Sequence, residues 1–594
     1  MLSRLLLIAA LAAGPLAAQE NLFIHVPDPK SKTRVEAVAL FSRPAPSGYL
    51  PVRFLVNNGS DQAGKLEIST TSTTGESNLT SSFSFEAAAE DSTYHDILVP
   101  CGTVLNFSRG YSGGSAVVQL RMGGSFGTSA NSISADYEEG QAAILLSESL
   151  FTPNASALDN QLTSGHMRAR GQTFAGRFTP TSMPEDWRAY SGYDGLGMTD
   201  ADWTAMTPGA RNAILRWNRL GGQLVIYAVS SSTNFATLGI SDKAAGVTQA
   251  DRSFGNVSMF PIGTDLKLNP AETIGIFTKS DNLPTVLESV RGDFLSWPLK
   301  SHLTKQGYNS SLFILILVAF GVLVGPVNLF VFAKSGRRHR LFITTPLIAL
   351  GTSAVLVALI ILIDGFGGRG VRIQLMEIRP DDGDNSAYIF QEQVSRTGIL
   401  MDKSFTVSEP AAITPVVISG HDNQWARLTD ENWGEGMRYE AEFRNGKLEA
   451  SGDWFLSRSE QGQLLRGIVP TRGRIEARSL TGQPSFMSTF DFPIETLYFR
   501  DSSGGCWKAL DVEPGKAFSC TQVDESEVKS FTAEAGKQLS QRSSKALLRT
   551  GGTPLSERPN HFIAFTSAAP GIETFEGIDW QMTQTYITGP IVQP

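Results

Sequence analysis

Three cysteines and seven histidines are all that 594 residues offer to thiol or imidazole chemistry. So few cysteines exclude a disulfide-built scaffold and leave little for a thiolate metal site. The histidines stand at 25, 95, 166, 302, 339, 421 and 561, with no pair at metal-ligand spacing, so no metal is expected. Basic charge is also short: 50 Lys and Arg face 58 Asp and Glu, a net charge of −8. Such a chain has no cationic surplus for a phosphate backbone, and nucleic acid is not expected as a partner. Charged residues make up 18% against 41% hydrophobic, too apolar for a disordered chain and too polar for a multi-span transporter. The length fits roughly three or four domains of ordinary size. No motif names a specific activity or a cofactor.

Apolar runs are what the chain does have. The first segment, MLSRLLLIAALAAGPLAAQE, sets Arg4 before an apolar stretch at 5–13 and small Ala17-Ala18 before Gln19. That is the layout of a cleaved secretory signal over residues 1–18. Residues 312–333 and 341–363 carry no charge and reach transmembrane length. Between them KSGRRHR (334–340) holds Lys334, Arg337, Arg338 and Arg340, and its shortness and charge place it in the cytosol. Both large flanking regions then lie on the extracytoplasmic side, as the signal segment independently requires. Gly325-Pro326 and Asn328 interrupt the first span, and Thr344-Thr345-Pro346 interrupts the second. Proline frees a carbonyl there, and Asn328 is suited to hydrogen-bond across the hairpin as packing glue.

Residues 19–130 alternate short strands with polar turns: VEAVALF (35–41), YLPVRFLVNN (49–58), KLEIST (65–70), SSFSFE (81–86), HDILVP (95–100) and AVVQLRM (116–122). The pattern predicts an immunoglobulin-like β-sandwich. From 131 to 300 the texture becomes α/β. AAILLS (142–147) and QLVIYA (223–228) are continuous apolar runs, the mark of strands buried on both faces. Thr207-Pro208 opens a helix with Ala210, Ala213, Ile214 and Trp217 on one face, and Gly221-Gly222 ends it. Strand, helix, glycine stop and strand make a βαβ unit in a parallel sheet. Beyond the membrane, 371–594 is strand-rich again, with a helical pattern at 524–541 and Trp425, Trp433, Trp454 and Trp507 as core or cross-strand partners. One large β-sandwich or two small sheets are expected there.

A resemblance rests on some of these residues. Asp194 at a strand end, the helix ending in Trp217 and the run Gly221-Gly222-Gln223-Leu224-Val225 resemble the class I glutamine-amidotransferase-like (flavodoxin-like) domain of bacterial envelope membrane proteins. Such proteins are often encoded near MoxR ATPases and von Willebrand A-domain proteins. GPVNLFVF (325–332), RRHRLFITTP (337–346) and NHFIAFTSAAP (560–570) are similar to membrane proteins of that kind. The resemblance implies an architecture: sandwich, amidotransferase-like domain, two-helix membrane hairpin and β-rich tail. It carries little enzymology.

True class I amidotransferases attack with a cysteine thiolate, yet 131–300 holds no cysteine and one histidine, His166. Ser230 follows a strand where a nucleophile could sit, but it has no base near it in sequence. GGSFG (123–127) matches G-x-S-x-G without a following helix, and GFGGRG (365–370) matches G-x-G-x-x-G without a preceding strand. They read as a turn and a flexible membrane-exit linker. Asp381, Asp382 and Asp384 begin like a calcium loop but lack its closing Glu, and read as a solvated turn. Cys506 and Cys520 flank a Pro514-Gly515 turn and are disulfide candidates in an oxidising compartment, with Cys101 unpaired and buried. No catalytic, cofactor-binding or metal residue is assigned, and Asp194, Trp217, Gly221 and Gly222 are expected to hold the fold. The expected function is a membrane-anchored scaffold or partner-binding protein, its partners inner-membrane lipid and other envelope proteins. The alternatives are an extracytoplasmic hydrolase built on Ser230 and His166, or a subunit of a transport or secretion complex.

Overall fold

The computed structural model describes residues 20–593 except 28–29, 31, 75–76, 109–110, 139, 166–172, 241–247, 253, 279–284, 288–297, 304–309, 334, 381–384, 417–436, 445–446, 481 and 543–557. The signal segment, His166, Lys334, the acidic turn 381–384, Trp425 and Trp433 therefore lie outside the described residues. The chain is multidomain and rich in strand, with two apolar helices in its middle.

Alternation builds the first part. The strand Gly64–Thr74 buries Leu66, Ile68, Thr70 and Ser72 and turns the residues between them outward, the period of a half-buried strand. Glu20–His25, Arg34–Ala39, Tyr49–Asn57 and Ser92–Pro100 form a four-stranded antiparallel sheet. Its Val35, Ala37, Phe54, Val56 and Val99 share one core with Leu66, Ile68, Val118 and Leu120 of a second sheet. That second sheet runs past residue 130 to Glu138, because Ser129–Glu138 pairs along Tyr111–Gly124.

The second sheet is completed from the far end of the chain. Its order is Phe405–Val407, Lys447–Gly452, Arg438–Arg444, Ser77–Ala87, Gly64–Thr74, Tyr111–Gly124 and Thr103–Ser108, with Ser129–Glu138 beside Tyr111–Gly124. The join is parallel: Arg438, Tyr439 and Glu440 stand opposite Asn78, Leu79 and Thr80. The Asn78 N–H donates to the Met437 carbonyl at 2.7 Å, and the Thr80 hydroxyl donates to the Tyr439 carbonyl at 3.4 Å, 359 positions away. The Ser81 hydroxyl donates to the Ala441 carbonyl. Strands from before and after the two apolar helices thus form one eight-stranded sheet.

The α/β part sets five parallel strands in the order Ala175–Phe178, Ile144–Ser147, Gly195–Thr199, Gln223–Ala228, Gly255–Pro261, with Gln249–Arg252 antiparallel at the edge. Counting parallel strands along the chain, the order is 2-1-3-4-5. The helix Pro208–Arg219 starts as its sequence predicts: the Thr207 hydroxyl accepts from the Ala210 N–H, and Pro208 occupies the first turn. Ala210, Ala213, Ile214 and Trp217 are buried, and Gly221 ends the helix at φ +95°. This layer is wedged between the two β regions. The Phe254 and Phe390 rings lie 4.7 Å apart, and Arg466 donates to the Ser191 carbonyl at 2.6 Å. The Arg188 guanidinium lies 4.6 Å over Phe443, whose ring meets Tyr49 at 5.3 Å.

After the two apolar helices, Gly368–Arg379 starts a twelve-stranded, branched sheet rather than two small ones. Gly368–Arg379 pairs with Ser386–Thr397 and Ile578–Val592. Trp454 is buried and donates to the Glu440 carbonyl at 2.8 Å. Trp507 donates to Asp501 at 2.8 Å. The expected helix forms at Glu525–Arg542.

Two helices are long and apolar enough to cross a membrane, Ile314–Phe332 and Arg338–Leu359, with mean hydropathy 2.6 and 2.0. Pro326 removes one backbone donor, and the stretch Leu323–Phe332 is wound as a wider π-helix. Asn328 is fully buried in the hairpin. Its amide donates to the Thr345 hydroxyl at 2.9 Å and accepts from the Thr344 hydroxyl at 2.6 Å. Pro346 sits in the first turns of the second helix, while Arg337, Arg338 and Arg340 are exposed. Asn328→Leu should cost roughly 0.6–2 kcal/mol, read as a lower unfolding midpoint in detergent. An unchanged midpoint would mean the clasp contributes nothing.

The cysteines correct one expectation. Cys101, Cys506 and Cys520 are all buried, and none of them forms a disulfide. The Pro514-Gly515 turn forms, with Gly515 at φ +66°, but the register sets Cys506 against Val523 and Lys508 against Thr521. Cys520 is an odd number of residues from Val523, so it faces the other side of the sheet. It packs in the main C-terminal core, while Cys506 packs with Tyr498 and Val528. Thiols on opposite faces cannot bridge. Burial pushes the Cys101 and Cys520 thiols up to about 12. Folded protein at pH 8 should therefore resist maleimide, and denatured protein should take up three labels with or without reductant. A single label before reduction would restore the disulfide.

Candidate functional site

In a doubly wound parallel sheet, ligands bind outside the carboxyl ends of the strands, where the order reverses. Here that place lies between Ile144–Ser147 and Gly195–Thr199. Ser147 ends the first strand, fully buried, and Ser149 opens the helix Glu148–Gly165. Thr199 caps the short helix Asp200–Ala205 in a capping box with Asp202. The Asp202 carboxylate accepts from the Thr199 hydroxyl at 2.8 Å, from the Thr199 N–H at 3.1 Å and from the Ser149 hydroxyl. The Ser147 and Ser149 hydroxyls are 3.1 Å apart.

A second carboxylate, Asp200 at the start of the same short helix, faces the end of the next strand, Gln223–Ala228. Asp200 accepts from the Thr233 hydroxyl at 2.7 Å and from the amides of Ala201, Val229 and Ser230 at 3.0, 3.3 and 3.5 Å. Burial opposes its ionisation, but these donors together hold the Asp200 carboxyl below the usual carboxylate range. The carboxyl edge therefore carries two aspartate side chains, each satisfied by the chain's own donors. An incoming phosphate would meet like charge and hydroxyls already engaged.

The residues singled out from sequence fall elsewhere. Asp194 lies at the amino end of its strand, where its carboxylate accepts from the Ala143 and Val286 amides at 2.7 and 3.0 Å. Trp217 is buried 6.2 Å from the Tyr190 ring, and a side-chain carbon on Gly222 would sit 2.2 Å from its indole. Asp194, Trp217, Gly221 and Gly222 thus staple strand to helix, away from the carboxyl edge. Ser230 is exposed, with its hydroxyl 2.8 Å from that of Ser232. Its imagined partner His166 lies outside the described residues.

The glycine motifs are structural. Residues 123–127 turn between two antiparallel strands, with Gly124 and Gly127 at φ +94° and +88°. Residues 365–370 are not a flexible linker: they are hydrogen-bonded to Gly398, Ile399 and Gly577 and run straight into a strand. Asp202, Thr199 and Ser149 went unnoticed in the sequence, although the Thr199-x-x-Asp202 spacing is a readable capping signal. Among the described residues, no group of three or more His, Cys, Asp or Glu is placed to hold a metal ion. An open groove also crosses the eight-stranded sheet at the join of its two halves, lined by Glu67, Ser69, Ser82, Ser84, Arg121 and Glu442. Set against known proteins, the chain matches no family model and no curated sequence.

Proposed function

We propose that this protein is a membrane-anchored scaffold of the bacterial envelope, without catalysis of its own, whose two large regions share the extracytoplasmic side of the inner membrane. The observation that carries this reading is the parallel pairing of Arg438–Arg444 with Ser77–Ala87. Strands hydrogen-bonded in one sheet cannot stand on opposite sides of a bilayer. An even number of spans returns the chain to the side it left, and Arg337, Arg338 and Arg340 in the turn favour a cytosolic loop.

The finer fold assignment belongs to the same proposal. The 2-1-3-4-5 strand order is that of flavodoxin-like folds, which suits an amidotransferase-like domain of the envelope family resembled at 183–228. A four-stranded antiparallel sheet packed on the antiparallel strands of residues 64–138 suits an immunoglobulin-like module. The self-satisfied Asp200 and Asp202 support a binding or structural role, and the groove that sets Glu67, Arg121 and Glu442 beside Phe85 and Phe443 offers a mixed polar and apolar face to an envelope protein partner.

Accessibility labelling tests this reading. In spheroplasts an impermeant maleimide should modify Ser60→Cys and a cysteine appended after Pro594. Arg338→Cys should react only after permeabilisation. A carboxyl-terminal cysteine that reacts only after permeabilisation would overturn the proposal.

A further inference from the structure

We propose that the surface formed by Phe366 and Met401 seats in the extracytoplasmic face of the bilayer, with lipid headgroups and upper acyl chains as its partner. This rests on the membrane-anchored reading above.

The second apolar helix, Leu341–Asp364, is closed by Gly365 at φ +70°, whose N–H donates to the Ile361 carbonyl at 2.9 Å. The chain then zips onto a neighbouring segment. The Ile399 N–H donates to the Gly365 carbonyl at 3.0 Å, the Gly367 N–H to the Ile399 carbonyl at 3.1 Å, and the Gly398 N–H to the Gly367 carbonyl at 2.7 Å. Phe366 and Ile399 form a bridge. Residues 398 and 399 are thereby fixed just beyond the helix end, and 400–401 follow alongside 367–368.

Two large apolar side chains stand in the open at that level. Phe366 is 67% exposed and Met401 is 88% exposed, as open as Phe342 in the span itself at 86%. Leu400 between them turns inward against the C-terminal core. Asp402 and Lys403 follow at once, both exposed. An apolar pair succeeded by charge is the pattern of a surface that dips into an interface and goes no deeper. Phe366 is two residues beyond Asp364, on the order of 7 Å along the chain. The headgroup zone adds roughly 5–7 Å outside each edge of the hydrocarbon, so Phe366 falls at its outer edge, and Met401, level with Gly368 through the parallel bridge, stands at most about 7 Å farther out. Lipid is favoured over a protein partner because Phe366 directly follows the helix cap Gly365, and the segment leading to Met401 is hydrogen-bonded to that cap. The consequence is orientation: the strand Gly368–Arg379 leaves the membrane held at a fixed tilt.

Spin labelling in phosphatidylcholine–phosphatidylglycerol nanodiscs tests this. Labels go singly on Phe366→Cys, Met401→Cys, Leu350→Cys in the span and Leu510→Cys as a water reference. Through the cross-strand register Leu510 is level with Leu375, seven residues and roughly 23 Å up the sheet from Gly368. The native thiols are buried and stay unlabelled. The expected result is a several-fold higher ratio of oxygen to nickel-chelate collisions at 366 and 401 than at 510, lower than at 350. Phe366→Cys can disturb the bridge, but Met401 is almost free of contacts, so its label reads the surface by itself. Ratios at 366 and 401 equal to that at 510, with 350 in lipid, overturn the seat and leave the anchored reading standing. Labels shielded from both reagents mean a protein covers the patch, which also overturns it. An aqueous ratio at 350 overturns the anchored reading itself.

Discussion

Gly222→Ala should destabilise the protein by about 3 kcal/mol or more, and Gly221→Ala by only about 1 kcal/mol. The sequence points to Gly221 as the demanding position, since it ends the helix in the left-handed region. The packing reverses that order. A methyl group on Gly221 would meet Phe390 at 3.6 Å, an ordinary contact, so only backbone strain is paid. On Gly222 it would lie 2.2, 2.4 and 2.5 Å from three atoms of the Trp217 indole. That ring is buried with Tyr190 beside it and has nowhere to withdraw. Thermal unfolding of the detergent-purified protein ranks the two variants. A larger midpoint loss for Gly221→Ala would refute the packing argument.

Trp454→Ala should cost roughly 3–5 kcal/mol, the range for emptying a buried tryptophan site. The side chain is fully buried, 5.0 Å from the Tyr439 ring and 6.4 Å from Phe405. Its indole N–H holds the Glu440 carbonyl, and its own carbonyl accepts from Gln463 at 2.9 Å. Tyr439 and Glu440 belong to the strand that joins the far half of the chain to Ser77–Ala87. The loss should therefore be felt at the join as well as in global stability. Hydrogen exchange at the Asn78 amide, which donates to Met437, should accelerate together with that of Arg438–Arg444. If the join stays protected while the protein loses stability, Trp454 supports the C-terminal core alone.

Local grammar in the chain was legible where the cause is local. Thr207-Pro208 announced a helix start and Gly221 its end, because a cap and a left-handed stop need only neighbouring residues. The apolar helices and the Asn328 clasp were legible because length, charge and a lone polar group in an apolar run are local facts. The eight-stranded sheet was not. Period-2 alternation says which face of Arg438–Arg444 is buried, but not that its partner lies 359 positions earlier. The Cys506 and Cys520 expectation failed for the same reason: the turn was visible, but the register that puts the thiols on opposite faces was not. At the carboxyl edge, the capping box of Thr199 and Asp202 was readable. Its meeting with Ser149 depends on the parallel pairing of strands 51 residues apart, Ile144 with Gly195.

The shared sheet is the claim on which topology, anchoring and scaffold role depend, and one cross-link tests it directly. Thr80 and Glu440 are opposite partners in the parallel join, so their Cα atoms fall in the range that a disulfide spans. The double variant Thr80→Cys/Glu440→Cys, with a protease site inserted between residues 303 and 310, is expressed in cells, blocked with a thiol reagent before lysis, and cleaved. Fragments that stay joined without reductant and separate with it, while each single variant separates in both conditions, are the expected result. Fragments that separate without reductant, with both cysteines carrying the blocking label, would show that the two halves do not share a sheet.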